Sequence, residues 1–220
     1  MKNIEIYSSE TSRYPSGLSS CIRDKVTEQE FGKVKVDLAL IHYPVVNKNQ
    51  EIIGSAVTNL DLHDIARAAK TYGVDSFYVI TPYKDQQELF QELLDHWLTG
   101  HGAKYNSKRG EALSLVQICD DLNQLFERVT EKRQGRPKVL ATCAQEKNTT
   151  IWPYALVRKR LSEGESFLIL LGTAWGLAQE VIDAADGILP PISGPGNYNH
   201  LSVRSAAAIV LDRLLGAREQ

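Results

Sequence analysis

Six short apolar runs constrain the fold more than any other feature of this sequence: "DLALIHY" (37–43), "SFYVIT" (76–81), "LSLVQIC" (113–119), "KVLATC" (138–143), "FLILLG" (167–172) and "GILP" (187–190). A strand with one wet face alternates polar and apolar residues. These runs are close to continuously apolar, so both of their faces must be covered. The segments between them have helical character and begin near Asn59, Lys84, Asp120, Ile151, Ala174 and His200. In "QQELFQELLDHWL", Leu89, Phe90, Leu93, Leu94 and Trp97 fall on one helical stripe; near the C-terminus Leu201, Ala208, Leu211 and Leu215 recur at a similar period. The expected class is α/β, a doubly wound, mostly parallel sheet with helices on both faces.

The first thirty-odd residues are polar and serine-rich, which predicts an N-terminal extension (1–35) with one short strand near Ile4–Tyr7, ahead of a single domain (36–220). With 43% hydrophobic residues the domain can fill a core, and a net charge of −2 gives no global attraction to nucleic acid, although a local basic patch serves within a neutral chain. Cys21, Cys119 and Cys143 are odd in number and widely spaced, so they read as reduced thiols, not as a disulfide framework or a zinc site. No Asp/Glu/His set has metal-ligand spacing. No apolar run is long enough to span a membrane, and the start lacks a signal peptide's hydrophobic region; the expectation is a cytoplasmic protein without membrane or metal.

Ligands of doubly wound sheets bind beyond the carboxyl ends of the strands, and the informative residues follow strands here. No GxGxxG follows the first strand and no GxxxxGK[ST] occurs, so dinucleotide and P-loop chemistry lose ground. The glycines cluster late, at Gly172, Gly176, Gly194 and Gly196, beside "NYNH". Helix-entry turns would explain any one of them; two successive strand ends of this kind predict a ligand pocket.

Three segments carry a resemblance. "TNLDLHDIARAAKTYGVDSFYVITP" resembles the first motif of the SPOUT superfamily of S-adenosylmethionine-dependent RNA methyltransferases, with Asn59 leading a turn and Arg67 on the helix that follows. "LILLGTAWGLAQEV" is similar to the glycine-containing second motif, and "LPPISGPGNYNHLSVRSAAAIVLDRL" to the third. The similarity runs from about Asp37 to Gly216 and is closest to the RNA methyltransferase domain appended to some bacterial tRNA guanine-N1 methyltransferases. It implies a C-terminal trefoil knot, which topology rules alone would not suggest, a homodimer, an RNA partner (tRNA or rRNA), and S-adenosyl-L-methionine as cofactor. The implied cofactor-binding residues are Thr142, Gly172, Thr173, Gly176, Pro191, Ile192, Gly194, Gly196, Leu201 and Ser202. The implied catalytic set is Asn59, Asp64, Arg67 and His200. Two departures bear on the target atom. Ribose-methylating members carry a glutamate in the second motif, where this chain reads Gly172-Thr173-Ala174-Trp175-Gly176; their third-motif asparagine falls on Ser202.

Methyl transfer from a sulfonium needs alignment of the nucleophile and, where it carries a proton, an acceptor. Guanidinium stays protonated, so Arg67 suits phosphate clamping or orientation of the nucleotide. Asp64 and His200 are candidate proton acceptors, while Asp61 is a candidate helix cap. His42 closes the first strand and either faces the cleft or caps the strand; His96 and His101 read as packing and surface residues. Basic stretches at Lys104–Arg109, Lys132–Lys138 and Arg158–Arg160 are available to RNA. The alternatives are a non-catalytic RNA-binding or accessory protein that keeps the knotted pocket, and a methyltransferase for a small molecule or protein.

Overall fold

A computed structural model describes residues 34–145 and 147–217; the strand expected near Ile4–Tyr7 lies outside them. Strand β1 (Val36–Ile41) is buried along its whole length. It pairs in parallel on one side with β4 (Ser76–Ile80) and on the other with β7 (Phe167–Gly172), so Leu40 lies opposite both Val79 and Leu171. With β5 (Val116–Cys119), β6 (Lys138–Ala141) and β8 (Gly187–Ile188) they form a six-stranded parallel sheet in the order β5-β4-β1-β7-β6-β8. A small antiparallel pair, β2 (Val45–Val46) and β3 (Ile52–Ile53), follows β1.

The period of two along β1 sorts the core. Val36, Leu38 and Leu40 face α1 (Asn59–Thr71), α2 (Lys84–Leu98), α4 (Ser107–Leu113), α6 (Tyr154–Ser162) and α8 (Val203–Leu215). Ala39 and Ile41 face α5 (Leu122–Arg133) and α7 (Gln179–Asp183). Helices on both faces are what the apolar runs predict. After β8, at the edge of the sheet, the chain returns to pack α8 against α1 and α6.

Several local readings are corrected. The run 113–119 is a strand only from Val116, because Leu113 ends α4 and the chain turns there. A short helix α3 (His101–Tyr105) and α4 occupy the stretch between α2 and β5. The last helix starts at Val203, and its buried stripe is Ala207, Val210, Leu211 and Leu214, one register away from the predicted one, leaving Leu201 outside the helix. Helix α1 is capped by Thr58, whose hydroxyl accepts from the Asp61 amide (3.1 Å) and donates to the Asp61 carboxylate (2.7 Å). Asp61 is therefore the third helical residue and not the cap. In α2, Leu89 is exposed while Phe90 and Leu94 are buried.

The expectation that Lys132–Lys138 is free for RNA is also corrected. Helix α5 runs back along the sheet, so its last turn reaches the amino ends of β1 and β4. There Lys132 meets Asp37 (2.8 Å) and Ser76 (2.7 Å), and Arg133 spans Asp37 and Asp75 (2.7 Å each). Asp37 is fully buried. Farther along, Arg136 and Lys138 both pair with Asp186. These cations balance carboxylates of the fold.

Removing one partner of a buried pair strands the other charges. Asp37→Ala is expected to lower stability by about 3–5 kcal/mol in urea denaturation; a loss of under about 1 kcal/mol would show that Lys132 and Arg133 re-solvate freely.

Candidate active site at the carboxyl edge of the sheet

The strand order reverses between β1 and β7, and three chain segments meet just beyond their carboxyl ends. His42 follows β1 and is fully buried. Its Nδ1 lies 2.9 Å from Ser55 Oγ; Ser55 Oγ lies 2.5 Å from Thr173 Oγ1; and Thr173 donates to the Ile41 carbonyl at 3.0 Å. With Thr173 donating to Ile41, its oxygen is left to accept from Ser55, whose other acceptor, the His42 carbonyl, is 3.5 Å away. His42 Nδ1–H then donates to Ser55, Ser55 to Thr173, and Thr173 to Ile41. His42 Nε2, buried without a hydrogen-bond partner, is left as a bare acceptor, which is cheaper than an orphaned N–H.

This relay seats the loop after β7. Gly172 has no room for a side chain, since a Cβ there would come within 2.8 Å of the Leu177 amide. Ala174 takes a left-handed conformation (φ 51) and Gly176 a positive φ of 117. A non-glycine residue held there costs about 1 kcal/mol or more. The cost is offset by pairing with β2: Trp175 N–H donates to the Val46 carbonyl and Val46 N–H to the Gly176 carbonyl, both at 3.0 Å. Trp175 itself is 66% exposed.

The segment after β8 borders a half-open cavity of about 230 Å³ lined by Ile192, Ser193, Gly194, Tyr198, Asn199, His200, Leu201 and Ile209. Among the described residues, no main-chain group of 191–200 bonds to another main-chain group. Peptide groups left in this way beside a cavity are free to read a polar ligand, while Ile192, Leu201 and Ile209 supply apolar walls. A Cβ on Gly194 would meet nothing within 4 Å, so it projects into open space. Asn199 ties the segment to the loop after β6 through the Ala144 carbonyl (2.6 Å), and His200 stands edge-on to the Tyr198 ring with centroids 5.2 Å apart.

Of the expected site residues, the structure gathers Ile192, Gly194, His200 and Leu201 around this cavity, with Pro191 leading into it. Thr173 belongs to the relay, with Gly172 and Gly176 shaping its loop. Thr142 turns its hydroxyl onto the Leu170 carbonyl (3.0 Å), and Ser202 caps α8 by accepting from the Ser205 amide (3.3 Å). Gly196 is exposed and does not line the cavity. On α1, Asn59 is the exposed first residue, Arg67 is exposed, and Asp64 meets Arg204 Nε at 3.6 Å. Arg204 also reaches Asp61 (3.4 Å), which ties the start of α8 to the start of α1. Sequence reasoning did not find Ser55, Arg204 or Ile209. The serine had no motif around it, and the other two act through partners distant in the chain.

Burial pushes His42 from the ordinary 6.5 down to about 4, outweighing the opposite pull of the Asp61 carboxylate and the Ser55 bond. A histidine depressed on folding favours the unfolded chain as it protonates. Its contribution is intact above pH 6.5 and is lost progressively as pH falls to about 4. Over that window the chain is expected to lose about 3 kcal/mol of stability through this group. Urea titrations at stepped pH should show this slope in the parent and a flatter one in His42→Asn. Equal slopes in both would remove His42 as the cause.

The sequence model of SAM-dependent RNA methyltransferases matches residues 35–216. The chain is 44% identical over 178 residues to a tRNA (guanine-N(1)-)-methyltransferase of Oleidesulfovibrio alaskensis, a match covering 81% of this chain and 41% of that protein. The chain thus spans about two fifths of the length of this relative. An uncharacterized protein of Aquifex aeolicus is 37% identical over 180 residues, covering 81% of this chain and 87% of its own. Among solved structures, TrmJ from Z. mobilis superposes with a TM-score of 0.53 at 15% identity (84% of this chain, 70% of that one). The SpoU methyltransferase AviRb from Streptomyces viridochromogenes gives 0.50 at 14% (84% and 60%). These structures share the fold, and the sequence matches carry the kinship: the chain belongs to the family of SAM-dependent RNA methyltransferases.

Proposed function

We propose that this chain, through its domain 36–220, transfers a methyl group from S-adenosylmethionine to a nucleotide of structured tRNA or rRNA, acting as a homodimer with a knotted C-terminal crossing. The supporting observation is the cavity beside 191–200, with unpaired peptide groups and apolar walls and tied to the loop after β6 through Asn199, in a chain of this family. The donor supplies an electrophilic methyl on a sulfonium. Ile192 and Leu201 pack on its apolar parts, and the peptide groups around Gly194 take its polar edges. Among the described residues no helix is long and apolar enough to cross a membrane, and no acidic, histidine or cysteine cluster suits a metal.

Of the two candidate proton acceptors, His200 is favoured because it lines the cavity, whereas Asp64 is engaged by Arg204. The exposed guanidinium of Arg67 orients the nucleotide through its phosphate. The missing acidic residue in 172–176 favours a base atom over the ribose 2′-hydroxyl as target.

Two sets of variants test this reading. Gly194→Val adds a branched side chain at the cavity wall where a Cβ meets no protein atom within 4 Å, so it should keep the parental melting temperature while calorimetry shows S-adenosylmethionine binding lost; normal affinity would place the pocket elsewhere. Arg67→Ala should retain cofactor affinity and lose methyl transfer to total bacterial RNA by on the order of a hundredfold, with Arg67→Lys restoring little because an ammonium lacks the planar fork. Transfer by Arg67→Ala at the parental rate would make Arg67 an ordinary surface residue.

A further inference from the structure

The corner where α3 and α4 meet α1 carries an excess of positive charge: Glu111 meets Lys70 (3.4 Å) and Lys108 (3.3 Å), and among the described residues Lys104 has no ion pair. Elsewhere Lys132, Arg133, Lys138 and Arg204 each meet a carboxylate. At this corner, His96–Arg109 contains Lys104, Lys108 and Arg109 and no acidic residue. Among the described residues neither Arg67 nor Arg109 forms an ion pair; Lys108 does meet Glu111, but with 89% of its side chain exposed such a pair contributes little. Arg109 lies over the Trp97 ring at 4.7 Å, and the His63 ring stands edge-on to the same indole at 5.4 Å. Burial, then the charge of Arg109, hold His63 below its ordinary range against the opposing Asp64 carboxylate, with Arg67 adding to the downward pull. Helix α1 packs on α4, and Lys70, one turn after Arg67, reaches Glu111 (3.4 Å), so Arg67 and the α3–α4 segment share a surface, from which Tyr105 projects 84% exposed.

The corner is firmly mounted. A Cβ on Gly102 would come within 2.7 Å of the Trp97 ring, and one on Gly110 within 2.8 Å of the Trp97 carbonyl. The Asn106 side chain caps α4 on the Arg109 amide (3.1 Å). Like charges held together on a fixed scaffold repel unless an anion lies across them. Interleaved with an exposed aromatic ring, they match the phosphates and splayed bases of RNA better than an acidic peptide, which offers no bases to stack.

We propose that α3 and α4, continuing the surface of Arg67, hold the phosphate backbone of the RNA next to the methylated nucleotide, with Tyr105 as a stacking ring. This rests on the RNA methyltransferase reading above.

The test uses the full chain, filter binding of bacterial tRNA and rRNA fractions across a salt series, and methyl transfer to the same fractions. Lys104→Glu/Lys108→Glu changes only exposed side chains and should weaken binding by about tenfold or more with a shallower salt dependence, leaving S-adenosylmethionine affinity at the parental value. Arg109→Gln should act in the same direction, and Lys159→Gln, paired with Glu163 on α6, should bind as the parent does. Parental affinity and salt slope in the double variant, beside a parent that binds and methylates RNA, would overturn this surface alone. A parent that binds cofactor but neither binds nor methylates RNA would overturn the reading on which it rests. Loss of subunit association with RNA binding retained would overturn it too, making the corner a contact between copies.

Discussion

Burial of β1 on both faces and both edges is the constraint on which the rest depends. A strand flanked by β4 and β7 and covered by helices above and below has no wet surface, so polar chemistry can leave it only at its ends. Both ends are used. At the amino end, Asp37 is drawn into a neutral cluster with Lys132, Arg133 and Asp75 that pins α5 to the sheet. At the carboxyl end, His42 starts the one-way series of hydrogen bonds through Ser55 and Thr173. One end fixes a helix and the other positions the loop after β7.

The carboxyl end gains its order from the protein's own hydrogen bonds. The relay crosses from the residue after β1 to the loop ahead of α1 and on to the loop after β7, returning to the main chain of β1 itself. Pairing with β2 holds Ala174 in a conformation it would not adopt alone. Such a loop is preformed, and its ordering entropy is met during folding.

The sheet was legible because continuous apolar runs have one physical solution, and the strands fell where "SFYVIT" and "FLILLG" placed them. Local competition was harder to read. Leu113 is as apolar as its neighbours in the run 113–119, but tertiary packing of α4 on α1 claims it for a helix. The shift of the α8 stripe has a similar origin: Ser202 caps the helix, so Leu201 never enters it. Of the late glycines only Gly194 lines the cavity, beside His200, while Gly172 and Gly176 shape the loop after β7. Its tethering through Asn199 and Arg204 was invisible, because each acts on a partner far away in sequence. Charge was the least legible property. Lys132–Lys138 and Lys104–Arg109 look alike as strings, and only the fold shows that the first is neutralised by aspartates while the second is largely left to solvent.

The seating of α3 and α4 bears on how such a protein can diverge. Close approach to Trp97, to its ring at Gly102 and to its carbonyl at Gly110, fixes where the corner stands, while Lys104 and Tyr105 project away from it and carry no part of the core. Placement and chemistry are thereby written in different residues. A lineage could exchange the projecting side chains step by step, each change nearly neutral for folding, and arrive at a different partner without rebuilding the frame.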